Sequence, residues 1–208
     1  MSRTVKLFIE QVIQQELEEM AKTPQEAVSQ SLALYLDNES SDYINAILYD
    51  PATMPEKKTN DPEGIVIGVI ELFFNDACDA WQIKIVAAEK GYGPLMYDIG
   101  FSLAGGKGMM SDRENVTNSA KKIWNYIAQK RKNDLTPIKV GADCRSLAST
   151  SPNGVLNYKY VLKHPVDISQ LQIAHRKFLN APAANGSQAK EQLIRHLGRR
   201  FFGQKYGL

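Results

Sequence analysis

Near the N-terminus, apolar residues recur at steps of three and four positions: Val5, Phe8, Ile9, Val12, Ile13, Leu17 and Met20. This period is that of an α-helix with one apolar stripe. The pattern therefore predicts an amphipathic helix over residues 4–21, which buries its stripe against another part of the chain.

Further along, the pattern changes to that of β-strands. Residues 29–36 and 43–49 are mostly apolar and flank a polar turn, which predicts a β-hairpin. Residues 50–63 hold three prolines among charged residues and predict a loop. Residues 64–74 form an almost continuous apolar run, typical of a central strand buried on both faces, and Glu71 interrupts that run.

A second strand, ending at Ala88, leads through two close glycines, Gly91 and Gly93, into a helix-like segment that begins at Pro94. Backbone N–H groups at the positive end of such a helix suit a phosphate or pyrophosphate. Glycines between a strand and a helix also serve simply to turn the chain. The turn is therefore a candidate ligand site that needs support from its surroundings.

A further strand-and-helix unit follows, over residues 108–112 and 117–129, with Thr117 as a capping candidate for the helix. Two closing strands are expected over residues 138–144 and 155–162. A mixed sheet with helices on both faces is the simplest architecture that accommodates this order of elements.

This order and the glycine turn resemble the core of the GNAT superfamily, the acetyl-CoA-dependent N-acetyltransferases, over about residues 29–162. The resemblance implies an α/β fold with a mixed, mostly antiparallel sheet flanked by helices. It also implies that the pantetheine of acetyl-CoA lies along a splayed strand and that the pyrophosphate binds the turn after it. The implied coenzyme-binding residues are Val86, Ala87, Ala88, Lys90, Gly91, Tyr92, Gly93, Pro94 and Leu95.

Two positions depart from the motifs of the family. Ala88 stands where the turn usually has Gln or Arg, so a side chain that supports the phosphate is missing; backbone donors and Lys90 can compensate for part of it. When Ala120 is aligned, Trp124 stands where the second motif has the tyrosine that protonates the leaving thiolate. An indole N–H is not usefully acidic, so we expect Trp124 in the core instead.

Two residues are the candidates for acid and base chemistry. Glu71 interrupts a buried strand, where desolvation would raise its pKa and suit it to deprotonate a substrate amine. Alternatively, Glu71 pairs with a surface lysine or arginine. Transfer would be direct: strand amides near Ala87 polarise the thioester, and water or Tyr97 protonates the thiolate. Asp112 is a second base candidate or a helix cap.

Composition narrows the class of protein. A chain of 208 residues with a net charge of +2 is typical of one globular domain with an appendage. It has no apolar run of about 18 residues and no signal-peptide pattern, so no membrane association is expected. Cys78 and Cys144 are far apart in sequence, so we expect a buried thiol, no zinc site and a reducing, cytoplasmic setting. Three scattered histidines give no basis for a metal site.

The chain divides into an N-terminal helix (1–24), a GNAT-like domain (25–164) and a basic helical C-terminal extension (165–208). The extension holds seven basic residues against two acidic ones, seven minus two or +5: Arg176, Lys177, Lys190, Arg195, Arg199, Arg200 and Lys205 against Asp167 and Glu191. This charge fits a solvated helical face, a nucleic-acid contact or a segment that docks on an assembly partner.

Two functions follow from the resemblance. The first is an acetyl-CoA-dependent N-acetyltransferase for a small amine or a protein amine, with the acceptor chosen by the loops at residues 50–63 and 145–154. The second is a catalytically inactive GNAT-like structural protein that docks through its terminal helices. Residues 91–126 are also similar to GNAT-related proteins of tailed bacteriophages. This second resemblance implies that a structural protein of this kind would be a virion or assembly component, located in the host cytoplasm or the virion.

Overall fold

A computed structural model describes residues 22–53, 65–147, 149, 151, 153–181 and 187–206 of the chain. The helix expected over residues 4–21 lies outside the described residues, as do most of the loop expected over residues 50–63 and part of the 145–154 loop.

The described chain forms seven strands and five α-helices. The strands are β1 (Ala33–Ser40), β2 (Tyr43–Tyr49), β3 (Val66–Asn75), β4 (Ala80–Ala88), β5 (Met109–Met110), β6 (Leu135–Lys139) and β7 (Tyr158–Leu162). The helices are α1 (Pro24–Ser29), α2 (Gly93–Ala104), α3 (Asn118–Lys130), α4 (Ser169–Asn180) and α5 (Ser187–Tyr206).

The strands form one sheet in the order β1-β2-β3-β4-β5-β7-β6. Every neighbouring pair is antiparallel except β4 and β5, which run parallel because α2 connects them as a crossover. The expected α/β class, with a mixed, mostly antiparallel sheet flanked by helices, is confirmed.

Both faces of the sheet are buried, which explains why its central strands are apolar at consecutive positions. Ile47 and Leu48 are neighbours in β2 and neither is exposed, although they point to opposite faces. On the face of Leu48, which we call the α2 face, helices α1, α2 and α3 cover the strands. On the face of Ile47, which we call the α5 face, Ile194 and Leu197 of α5 cover them.

The helices approach the sheet closely where they present glycine. A Cβ added at Gly100 of α2 would lie 2.5 Å from the Ile70 side chain, and one at Gly198 of α5 would lie 2.4 Å from Ile47. Each helix therefore packs with its backbone near the strands, and the C-terminal extension supplies part of the core.

Several element boundaries differ from those predicted. Residues 37–40 continue β1 rather than forming a turn, since β2 pairs with them across a bulge and Asp37 forms an ion pair with Arg195 at 3.2 Å. The strand expected over residues 138–144 is wrong in position: β6 comes earlier, at Leu135–Lys139, because it pairs with β7, and Ala142–Cys144 is a 3-10 turn. The strand expected over residues 108–112 shortens to two residues.

The expectation of two separate thiols is wrong, because Cys78 and Cys144 form a disulfide with a Cα–Cα distance of 5.5 Å. Cys78 follows β3 and Cys144 follows β6, and the sheet brings these two turns together. Ala80, Met110 and Val140 pack around the bridge. A reducing setting therefore no longer follows from the cysteines.

Two basic residues of the C-terminal extension serve the fold. The Lys190 ammonium donates to the carbonyls of Phe178 and Ala181, at 2.8 and 3.1 Å, and so caps the end of α4. Arg195 pairs with Asp37, as described above. None of the described helices has both the length and the apolar character needed to cross a membrane.

His175 of α4 is buried between two tyrosines of the sheet. Its Nδ1 shares a hydrogen bond of 2.9 Å with the Tyr49 hydroxyl, and its ring lies 5.4 Å from that of Tyr35. Burial lowers the pKa of His175, and the neighbouring Arg176 lowers it further. The histidine is therefore held in its neutral form.

The disulfide generates the first prediction. Replacing both cysteines (Cys78→Ser with Cys144→Ser) removes a cross-link between residues 66 apart, and we expect the free energy of unfolding to fall by about 2–4 kcal/mol. Urea unfolding without reductant measures this change. Reductant should destabilise the wild type to a similar degree and leave the double variant unchanged; equal stability of the two proteins without reductant contradicts the prediction.

His175 generates the second prediction. Because its pKa is lower in the folded chain than the unfolded value of about 6.5, protonation favours unfolding. The stabilisation is complete above about pH 6.5 and is lost as the pH falls towards the folded pKa, by up to about 1.4 kcal/mol per pH unit. In His175→Asn this part of the pH dependence should be absent. Unfolding curves between pH 7.5 and 5 compare the two, and parallel profiles would count against the assignment.

Candidate functional site

The parallel strands β4 and β5 separate almost as soon as they meet. They pair only at Trp81 with Met109 and at Gln82 with Met110. Beyond this point β4 continues to Ala88, while the chain after β5 turns away. Among the described strands, none pairs with residues 83–88 on this edge. We call the place where residues 83–88 separate from residues 111–114 the fork. The edge of β4 that no described strand pairs with can form backbone hydrogen bonds with an extended ligand.

Asp112 is the reason that the chain turns away at the fork. Its Oδ1 accepts the backbone N–H groups of Glu114 and Asn115, both at 2.7 Å. Its Oδ2 accepts the Gln82 Nε2 at 3.1 Å, and Gln82 in turn accepts from Asn75. An aspartate that accepts N–H groups two and three residues ahead stabilises a turn in place of further strand pairing. Asp112 thus closes the turn, while Thr117 caps α3.

The glycine turn follows the free edge of β4 directly. Gly91 has φ = +89°, a conformation that favours glycine. Helix α2 begins at Gly93, with Pro94 in its first turn as predicted. A Cβ added at Gly93 would meet no atom of the described residues within 4 Å, so none of them fills the space beside it. In the first turn of the helix, Gly93 and Leu95 carry N–H groups, whereas Pro94 has none.

The remaining residues of the expected coenzyme site surround this turn. Gly91 accepts a hydrogen bond from the Lys22 N–H at 2.9 Å, and the Tyr92 hydroxyl donates to Gln30, so the segment before β1 buttresses the turn. Lys90 is exposed. The β4 residues of the expected site precede the turn: Val86, Ala87 and Ala88. The residues of this expected site therefore follow one another from the end of β4 through the turn into the start of α2.

A pocket of about 440 Å³ opens at the fork. It is lined by residues of β2, β3 and β4 and of the loop after β5: Tyr43, Phe73, Asn75, Gln82, Lys84, Asp112, Arg113 and Glu114. Val69, Glu71 and Phe73 follow one another at steps of two along β3, so they share a face. Since Val69 lies in the core under α5, the pocket lies on the α5 face.

Glu71 lies beside this pocket. It is half-buried, opposite Asn45 of β2 and Ile85 of β4, and its charge acts on Tyr43, which lines the pocket. Burial and the neighbouring Glu71 raise the pKa of Tyr43 to about 12, so the phenol stays protonated at neutral pH. Glu71 therefore lies next to Tyr43, and Tyr43 lines the pocket.

Tyr97 and Trp124 lie on the α2 face, in an aromatic cluster. The Trp124 ring stacks on Tyr160 at 5.5 Å and meets Tyr97 edge-on at 6.1 Å. Both side chains are buried, so the expectation that Trp124 belongs to the core is confirmed. Burial raises the pKa of Tyr97, which makes its phenol a weaker acid than an exposed tyrosine.

Sequence reasoning missed Arg113 and the pocket around it. An arginine in a polar loop is usually exposed, yet only 8% of Arg113 is accessible to solvent. Its Nε and Nη2 donate to the Ser111 carbonyl, and its Nη1 donates to the Cys144 carbonyl at 3.1 Å. No local pattern carries this information, because Cys144 lies 31 residues away.

Comparison with protein-family models, with curated protein sequences and with solved structures gives no match to this chain. Within the described part of the chain, no group of histidine, cysteine, aspartate and glutamate residues is arranged to hold a metal ion. The geometry of the fork, the turn and the pocket is therefore the basis for a functional hypothesis.

The glycine turn generates the third prediction. We expect Gly91→Ala to destabilise the fold by about 1–2 kcal/mol, because its positive φ is costly for a residue with a Cβ. Gly93→Ala should be neutral or stabilising by up to about 1 kcal/mol, since alanine favours the helix. Urea unfolding of the two variants measures the difference. Equal effects would show that the turn does not depend on the conformation of Gly91.

Proposed function

We propose that the chain is an acetyl-CoA-dependent N-acetyltransferase of the GNAT type. The observation that carries the proposal is the fork: over residues 83–88, one edge of β4 pairs with none of the described strands, and β4 leads directly into the glycine turn. A ligand with an extended amide-containing arm and a pyrophosphate matches that combination of a strand edge and a helix N-terminus. The open space at Gly93 supports the fit.

In this proposal the residues of the chain have distinct roles. Bound acetyl-CoA would supply an acetyl thioester. The N–H groups of Gly93 and Leu95, with Lys90, bind phosphate, and amides of the free β4 edge polarise the carbonyl oxygen. Glu71, next to Tyr43, takes a proton from the acceptor ammonium in the pocket on the α5 face, so that the neutral amine can attack.

The second candidate is a catalytically inactive structural protein with the same fold, such as a bacteriophage assembly component. The packing of Trp124 favours it, because the position of the usual proton donor is filled by a core residue, and Tyr97 is enclosed beside it. The terminal helices and their basic residues would then contact an assembly partner or nucleic acid. In the transferase, by contrast, water would protonate the thiolate that leaves acetyl-CoA, because Trp124 and the buried Tyr97 are poor proton donors.

The proposal generates the fourth prediction. Isothermal titration with acetyl-CoA should give binding in the micromolar to sub-millimolar range, and Gly93→Leu should weaken it at least about tenfold by filling the open space. Gly106→Leu is the matched control. Gly106 follows the far end of α2, and a Cβ there also meets nothing within 4 Å. This control should bind like the wild type.

Two outcomes would decide against the transferase. The first is a folded wild-type protein that shows no binding at about 1 mM acetyl-CoA, well above usual coenzyme affinities. The second is equal weakening by Gly93→Leu and Gly106→Leu. Either result would favour the structural candidate and direct attention to partners of the C-terminal helices.

A further inference from the structure

Arg113 is a buried cation that pairs with none of the described carboxylates. Only 8% of the residue is exposed, and no described aspartate or glutamate forms an ion pair with it. The nearest candidate in sequence, Asp112, has both carboxylate oxygens occupied by Gln82 and by backbone N–H groups. A buried charge with no counter-ion is costly, so its presence beside a pocket points to an anionic ligand.

The guanidinium also retains a hydrogen-bond donor. Arginine has five N–H donors. Four contacts are made within the protein: Nε and Nη2 to the Ser111 carbonyl, Nη2 to the Ser111 hydroxyl, and Nη1 to the Cys144 carbonyl. One N–H of Nη1 is therefore left without a partner among the described residues. These contacts also fix the orientation of the guanidinium, so a ligand pays little entropy to meet it.

Burial lowers the pKa of Arg113 to about 10, with a smaller opposing effect from Asp112. The group therefore remains protonated at neutral pH, although its charge is poorly solvated. Lys84, an exposed residue of β4, adds a second positive charge to the same pocket.

The pocket also presents negative groups. The exposed Glu114, on the loop that carries Arg113, lines it, and the charge of Glu71 acts on Tyr43, another lining residue. A plain amine would leave Arg113 uncompensated, and a plain carboxylate would bring no positive charge to Glu71 and Glu114. A small molecule with both an ammonium and a carboxylate matches both sets of charges.

We propose that this pocket binds a free amino acid, with its carboxylate on Arg113 and Lys84 and its ammonium towards Tyr43 and Glu71. The volume of about 440 Å³ suits a ligand of this size. As the acceptor site of an acetyltransferase, the pocket rests on the proposed function. The proposal that the pocket binds an amino acid does not require the protein to bind acetyl-CoA.

The test is a saturation-transfer NMR screen of the standard L-amino acids against the full chain with its disulfide intact and no acetyl-CoA. We expect at least one to bind. The primary amide of that amino acid, which lacks the carboxylate, and its N-acetyl form, which lacks the ammonium, should each bind at least about tenfold more weakly. If none of the amino acids binds at about 10 mM, a concentration above the usual dissociation constants of metabolite sites, the proposal is overturned.

Substitutions assign the carboxylate to its partners. Arg113→Lys and Lys84→Met should each weaken binding of the amino acid about tenfold while leaving binding of its amide unchanged. Lys122→Met, at an exposed lysine of α3, is the matched control and should change neither. If Arg113→Lys fails to fold, Lys84→Met and the comparison with the amide still decide. Equal affinity for amino acid and amide overturns the proposal.

The same measurements separate this proposal from the transferase. Amino-acid binding by a protein that does not bind acetyl-CoA would retain the pocket and remove the acetyltransferase. Acetyl-CoA binding without amino-acid binding would retain the coenzyme site and remove the amino acid as the acceptor.

Discussion

The turn closed by Asp112 is the constraint on which the candidate site depends. Its carboxylate accepts two backbone N–H groups ahead of it and the amide of Gln82 behind it, so the chain leaves the sheet immediately after Met110. If β5 continued beside β4, its backbone would occupy the edge over residues 83–88. The short strand thus creates both the free edge and the pocket, and a polar side chain rather than an apolar one determines where pairing stops.

The fork has a candidate ligand-binding feature on each face of the sheet. On the α2 face, helix α2 begins at the glycine turn and presents its N–H groups there. On the α5 face, Ile194 and Leu197 of α5 cover the strands, and the pocket lies on the same face. The C-terminal helices are therefore part of the core, which gives Lys190 and Arg195 structural partners and leaves less of the basic charge for an external ligand.

Polar groups near the pocket form one connected structure. The Cys78 N–H donates to Asn75, which donates to Gln82, and Gln82 donates to Asp112. On the opposite side, the carbonyl of Cys144 accepts from Arg113. The disulfide therefore links two walls of the pocket, so the fold holds the buried guanidinium in one position. Such rigid support is what a preorganised binding site requires.

The sequence by itself determined the elements whose signal is local. The almost continuous apolar run, which Glu71 interrupts, identified β3, and the glycines with Pro94 marked the start of α2. These assignments were correct because period and turn chemistry act over a few residues. Only the tertiary structure decided the disulfide, the position of β6, the burial of Arg113 and the nearness of Glu71 to Tyr43. Each of these depends on strand order, which brings together residues far apart in the chain and leaves no trace in any short segment.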